Sequence, residues 1–168
     1  VWDDAYGISV PAEFQTTKQD ISEILKGFQR DAQGEGFEIY KVKGWDYPAL
    51  CQVYQEAIAT CRAEHVPTLI HVTELTQPQG HSTSGSHERY KSAERLAWEQ
   101  EYDCLTQMRK WMLEAAMIGE TELAVLEETA KNYVRECQKK ALADFLSAIQ
   151  AEANEAIALL QATQMPEV

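Results

Sequence analysis

Two periodicities divide the hydrophobic positions of this chain. Phe37-Glu38-Ile39-Tyr40-Lys41-Val42 alternates and is rich in aromatic and β-branched residues, which predicts a strand broken by Gly44. Leu50, Val53, Tyr54, Ala57, Ile58 and Cys61 then form one stripe at helical spacing, and Asp46 with Pro48 just inside makes a helix start. Pro67 opens Thr68-Leu69-Ile70-His71-Val72-Thr73, a second short strand. Strand, helix and strand within about 38 residues make a βαβ unit, so the strands are expected to be parallel with a right-handed crossover.

The flanks follow from the same pattern. Val1–Val10 reads as the end of a strand entering a loop. Asp20-Ile21-Ser22-Glu23 resembles a capping box, and Ile21, Ile24, Leu25 and Phe28 continue a helix that stops before the Gly34-Glu35-Gly36 turn. Leu75 to Arg89 is a polar loop, and Glu94 onward predicts one helix to about Ala116. After a break and cap at Gly119-Glu120-Thr121, a last long helix carries an apolar stripe from Leu123 through Val134, Cys137, Phe145 and Ile149 to Leu160. A stripe of that kind ordinarily packs on its own core or on a partner helix. The expected fold is α/β: part of a doubly wound parallel sheet over residues 1–115, then long C-terminal helices over residues 116–168.

Composition narrows the function classes. With 168 residues, 45% hydrophobic and 25% charged, the chain can bury a core without staples and is not disordered. Its net charge of −12, spread evenly along the chain, excludes the basic face that nucleic acid or an anionic membrane requires. It has no run of 18 apolar residues, so no span is expected, and no signal peptide is visible. Cys51, Cys61, Cys104 and Cys137 lack metal-type spacing, and they read as free, buried thiols in a reducing compartment.

In open parallel sheets, ligands sit outside the carboxyl ends of the strands. Two segments fall there: Asp3-Asp4-Ala5-Tyr6-Gly7-Ile8-Ser9 and Gln77-Pro78-Gln79-Gly80-His81-Ser82-Thr83-Ser84. Adjacent carboxylates beside an exposed turn offer Mg²⁺ the hard oxygens it takes, with phosphate and water completing its shell. A glycine beside a histidine and three hydroxyls offers donors to an anion. Taken separately, the first is ordinarily a solvated turn and the second an ordinary loop.

Together the two segments resemble the alpha subunit of thiamine-diphosphate-dependent 2-oxo acid dehydrogenases, the decarboxylating first components of the pyruvate and branched-chain complexes. The family pattern Asn-Asn-x-Tyr-(Ala/Gly)-(Ile/Met)-Ser/Gly is matched by Asp3-Asp4-Ala5-Tyr6-Gly7-Ile8-Ser9, and Gly-x-Asp by Gly44-Trp45-Asp46. Pro-x-Leu-Ile is matched by Pro67-Thr68-Leu69-Ile70, and His-Ser-Thr-Ser followed by Tyr-Arg by His81-Ser82-Thr83-Ser84 and Tyr90-Lys91. Order and spacing agree from Val1 to about Trp111.

The resemblance implies the C-terminal half of a thiamine-diphosphate-binding fold. It implies thiamine diphosphate and Mg²⁺ as cofactors, with Asp4, Tyr6, Ile8, His81 and Ser82 at the cofactor. Asp4 and the Tyr6 carbonyl would ligate Mg²⁺, and His81 would be the catalytic residue, on the diphosphate side. Ser82 occupies the position at which animal relatives are inactivated by phosphorylation, where added charge would repel the diphosphate. The implied reaction is oxidative decarboxylation of a 2-oxo acid with acyl transfer to lipoyl. The implied partners are a beta subunit, or a beta region of one fused chain, and a lipoyl-bearing acyltransferase. The implied location is the cytoplasm of a bacterium or the mitochondrial matrix of a eukaryote.

This chain departs from the pattern in several places. Asp4 replaces an amide, Gln77 stands where the family usually has arginine, and Lys91 replaces the arginine of Tyr-Arg. The family's Gly-Asp-Gly segment, with another Mg²⁺ ligand, would precede Val1, so the chain is expected to begin inside a cofactor site and to be inactive alone. A transketolase-like enzyme and a non-catalytic module docking through the long helix are the competing readings. Among the other histidines, His65 reads as a helix-end residue and His71 as one satisfied within the sheet, while His87 matches no family histidine. Asp31 and Glu35 read as solvated.

Overall fold

The computed structural model describes residues 1–77, 81 and 86–163. In chain order its elements are β1 (Tyr6–Gly7), β2 (Val10–Pro11), α1 (Ala12–Gln15), α2 (Ile21–Leu25), β3 (Glu38–Lys43), α3 (Tyr47–Glu64), β4 (Thr68–Thr73), α4 (Ala93–Glu101), α5 (Cys104–Glu114) and α6 (Glu120–Thr163). The chain divides into two compact units, Val1–Ala115 and Ala116–Val168.

In the first unit, β3 and β4 pair in parallel from Glu38 opposite Thr68 to Lys43 opposite Thr73. The N-terminal residues extend this layer on the far side of β4. Trp2 bridges Val72 in parallel, the Asp3 N–H donates to the Val72 carbonyl at 2.8 Å, and the Val72 N–H donates to the Val1 carbonyl at 2.9 Å. The sheet therefore runs β3, β4, residues 1–3, with α3 crossing between β3 and β4 and packing on both.

The crossover is punctuated as its sequence demands. The Asp46 carboxylate accepts from the Ala49 N–H at 3.0 Å, capping α3 beside Pro48. His65 ends α3 at φ 57°, exposed at the helix C-cap. Gly44 is buried, and a Cβ there would meet Leu75 Cδ2 at 2.3 Å, so glycine is the residue that fits. Val42, Ala57, Val66 and Val72 are buried, and Ala57 lets the helix approach the strands closely.

Three expectations need correction. Cys51 and Cys61 are exposed and Cys104 is half-buried, so these thiols are not core residues. The 18-residue α3 is about 27 Å long. The six-residue strands beneath it span about 20 Å. One helix over so narrow a layer buries a line through Ala57 and leaves much of the stripe, including Tyr54, Ile58 and Cys61, in contact with water.

The helix expected from Glu94 to Ala116 is two helices. The Tyr102 N–H closes α4 on the Trp98 carbonyl at 2.9 Å, and the Asp103 carboxylate restarts the chain by accepting from Leu105 and Thr106. Asp at a cap outcompetes Asp in a helix interior because its short carboxylate reaches nearby backbone N–H groups.

In the second unit α6 is the described element, and Cys137, Val134, Phe145, Ile149 and Leu160 on its stripe are exposed. Leu123 at the start of the stripe is buried, and most of the remaining stripe is in contact with water. Among the described residues no helix is long and apolar enough to cross a membrane.

Candidate functional site

At the carboxyl end of the N-terminal strand the chain turns sharply. Asp3 Oδ1 accepts from the Ala5 N–H at 2.8 Å, and Asp4 Oδ1 accepts from the Tyr6 N–H at 3.1 Å, two successive side-chain-to-backbone turns. They hold Ala5 at φ 66° and lead into a hairpin whose tip residue, Ile8, has φ 62°. Positive φ on a β-branched residue is strained, and such strain gathers at functional turns.

The hairpin register decides which carbonyl is free. The Ala12 N–H donates to the Ala5 carbonyl at 2.9 Å, and the next pair along is Tyr6 opposite Pro11. In antiparallel pairing bonded and non-bonded pairs alternate, and Pro11 has no N–H to give. The Tyr6 carbonyl is thus left out of the ladder, and Asp4 Oδ2 accepts no hydrogen bond among the described residues. Asp3, in contrast, is fully engaged: its Oδ2 lies 3.0 Å from Nε2 of His71.

His71 is completely buried on β4. Its Nδ1 meets the Ser22 hydroxyl at 2.7 Å, so the ring joins the sheet, the Asp3 turn and α2. Asp20 caps α2 by accepting from Glu23 at 3.1 Å and lies 3.7 Å from the same Nδ1. The Lys41 ammonium hydrogen-bonded to Asp20 holds that carboxyl below the usual range, with the Glu23 N–H bond acting in the same direction against partial desolvation.

A second group of charges grips the turn from α4. Lys91 Nζ donates to both Glu99 oxygens, at 2.7 and 2.9 Å, and both side chains are almost wholly buried. Arg95 Nε donates to Glu99 Oε1 at 2.8 Å while its Nη2 donates to the Asp4 carbonyl at 2.9 Å. The Tyr6 ring lies against both cations, with Lys91 Nζ 5.0 Å and Arg95 Cζ 5.5 Å from its centroid. Two cations sharing one carboxylate leave a net positive charge under the turn. Arg95 also borders an open recess of about 620 Å³ with Lys43, Trp45, Glu74 and Trp98, at the carboxyl ends of β3 and β4.

The sequence family described as dehydrogenase E1 component matches residues 4–150. The chain belongs to the dehydrogenase E1 component family. A pyruvate dehydrogenase E1 component subunit alpha from Rickettsia bellii (strain RML369-C) is 29% identical over 113 residues, covering 65% of this chain and 34% of that protein. The chain thus spans about a third of the length of the curated relative it matches. No solved structure matches.

In this dehydrogenase E1 component chain, Asp4 and Tyr6 lie on the turn that leads into the hairpin, and Ile8, 62% exposed, lies at the hairpin tip. His81 is exposed, and Ser82 lies outside the described residues. Sequence reasoning missed Arg95 and Glu99, although Lys91, Arg95 and Glu99 recur at four-residue intervals, the spacing of one helical face. It also treated His71 only as satisfied in the sheet, without foreseeing that it fastens the Asp3 turn. His87 lies beside Glu88 at 3.2 Å, with its Nδ1 buried and unpaired among the described residues.

Proposed function

We propose that this chain supplies the Mg²⁺ and diphosphate grip of a thiamine-diphosphate-dependent 2-oxo acid dehydrogenase first component. One observation carries the reading: at the carboxyl end of a parallel strand, a doubly fastened turn leaves one carboxylate oxygen of Asp4 and the carbonyl of Tyr6 without partners among the described residues. Hard oxygens from one carboxylate and one carbonyl are a donor set that suits Mg²⁺, which keeps phosphate and water for the rest of its shell. Among the described residues no three His, Cys, Asp or Glu side chains are placed to hold a metal ion between them, and the oxygen donors at Asp4 and Tyr6 suit Mg²⁺ rather than Zn²⁺.

When bound, thiamine diphosphate supplies the nucleophilic carbon and electron sink for decarboxylation of the 2-oxo acid. The residues of this chain bind and orient. Asp4 and the Tyr6 carbonyl hold Mg²⁺, the net positive Lys91–Arg95–Glu99 group favours the anionic end of the cofactor, and Ile8 at the hairpin tip contributes an apolar wall. The resemblance assigns His81 and Ser82 to the diphosphate side. The partners of this reading are a beta subunit or beta region that activates the thiazolium ring and a lipoyl-bearing acyltransferase that accepts the acyl group. The bacterial source of the relative favours the cytoplasm.

Calorimetric titration of the full-length protein with thiamine diphosphate and Mg²⁺ tests the reading. Binding is expected in the wild type and is lost in Asp4→Ala. Unchanged binding in Asp4→Ala refutes the metal assignment. A docking role for the long helix is the second reading, favoured by the exposure of Val134, Phe145, Ile149 and Leu160 on α6.

A further inference from the structure

We infer that Arg95 is a positioning residue for the Mg²⁺-binding turn, which presupposes that the Asp4 turn grips Mg²⁺ and diphosphate. The Asp4–Ala5 peptide is planar, with its carbonyl and N–H on opposite edges. Both edges are held. The Ala5 N–H donates to Asp3 Oδ1 at 2.8 Å, and the Asp4 carbonyl accepts from Arg95 Nη2 at 2.9 Å. Asp3 is itself fastened by His71 at 3.0 Å, and Arg95 by Glu99 at 2.8 Å.

The clamp sets the orientation of the Asp4–Ala5 peptide, the first of the two peptides that join the proposed Mg²⁺-binding residues Asp4 and Tyr6. Ala5 holds φ 66°, a conformation disfavoured for a residue with a Cβ, and the Arg95 bond adds to the two Asp side-chain turns that hold it there.

Arg95 is separable from the fold. Glu99 keeps two hydrogen bonds from Lys91 when Arg95 is removed, so no buried carboxylate is stranded. Arg95 is also the more exposed of the two cations, at 23% of its side chain against 1% for Lys91. The guanidinium is needed for its shape: one nitrogen serves Glu99 and another serves Asp4, while the plane lies 4.5 Å from the Trp98 ring centroid. A lysine ammonium, a compact point charge, does not reproduce that fork.

The test uses the assembled full-length enzyme in four forms: wild type, Arg95→Met, Arg95→Lys and Asp4→Ala. Calorimetric titration with thiamine diphosphate at several Mg²⁺ concentrations is paired with melting of the unliganded proteins. Arg95→Met is expected to weaken Mg²⁺-dependent cofactor binding by roughly 10- to 100-fold, as loss of an outer-shell partner does, with little change in melting temperature. Arg95→Lys is expected to restore less than half of that loss on a logarithmic scale. Wild-type affinity in Arg95→Met, with binding lost in Asp4→Ala, overturns the positioning role and leaves the Mg²⁺ reading standing. Full restoration by Arg95→Lys overturns it too, because charge alone would then suffice. Wild-type affinity in Asp4→Ala overturns both.

Discussion

Glu99→Gln removes the carboxylate shared by Lys91 and Arg95 while keeping its volume. Glu99 and Lys91 expose 3% and 1% of their side chains, so water cannot replace the lost partner. Breaking a buried pair by deleting one charge costs about 3–5 kcal/mol, because the remaining ion stays buried and uncompensated. For a chain of this size each kcal/mol moves the melting temperature by about 2–4 °C, so a fall of roughly 10 °C is expected. Lys91→Met is milder, about 1–3 kcal/mol, because Glu99 retains its bond from Arg95. The double variant Lys91→Met/Glu99→Met recovers most of the loss, since replacing a buried pair with apolar groups of similar size is often near neutral. Urea denaturation of wild type, Lys91→Met, Glu99→Met and Lys91→Met/Glu99→Met closes a double-mutant cycle. A Glu99→Gln protein within about 0.5 kcal/mol of wild type, or losses in the singles that simply add in the double, would show that the pair is not buried as described.

Two further predictions concern the Asp3 turn and its supports. His71→Leu leaves Asp3 Oδ2 and the Ser22 hydroxyl without their partner, and should cost about 2–4 kcal/mol in a urea melt; a loss under 1 kcal/mol would mean that the His71 links contribute little to folding. Asp20 has its folded pKa depressed below 3.8, chiefly by Lys41, so its contribution is fully present above that value and is lost as pH falls through the lower folded pKa. Stability measured between pH 6 and pH 2 should therefore fall at the acid end, and Lys41→Met should flatten that part of the curve; an unchanged slope in the variant contradicts the assignment.

The βαβ unit was legible because each of its signals is local. Alternation over Phe37–Val42, a cap at Asp46 with Pro48 and a turn at Pro67 all act within a few residues. The Asp4–Tyr6 turn was legible for the same reason, since its hydrogen bonds join residues two apart. Burial along α3 was not. A stripe at helical spacing states which side is apolar, but how much of it is covered depends on how wide and long the sheet beneath it is.

The same distinction separates what the chain determines alone from what tertiary structure decides. Residue order by itself set the strand–helix–strand order, the caps, the acidic character and the family motifs, because these rest on backbone sterics and short-range hydrogen bonds. Only the folded chain brought Asp3 to His71 across 68 positions and Asp4 to Arg95 across 91. Partners so distant in sequence leave no periodic trace, and their pairing follows from which surfaces the sheet and α4 bring together. The residues proposed to bind could therefore be named in advance, whereas the contacts that hold their turn in place came from packing.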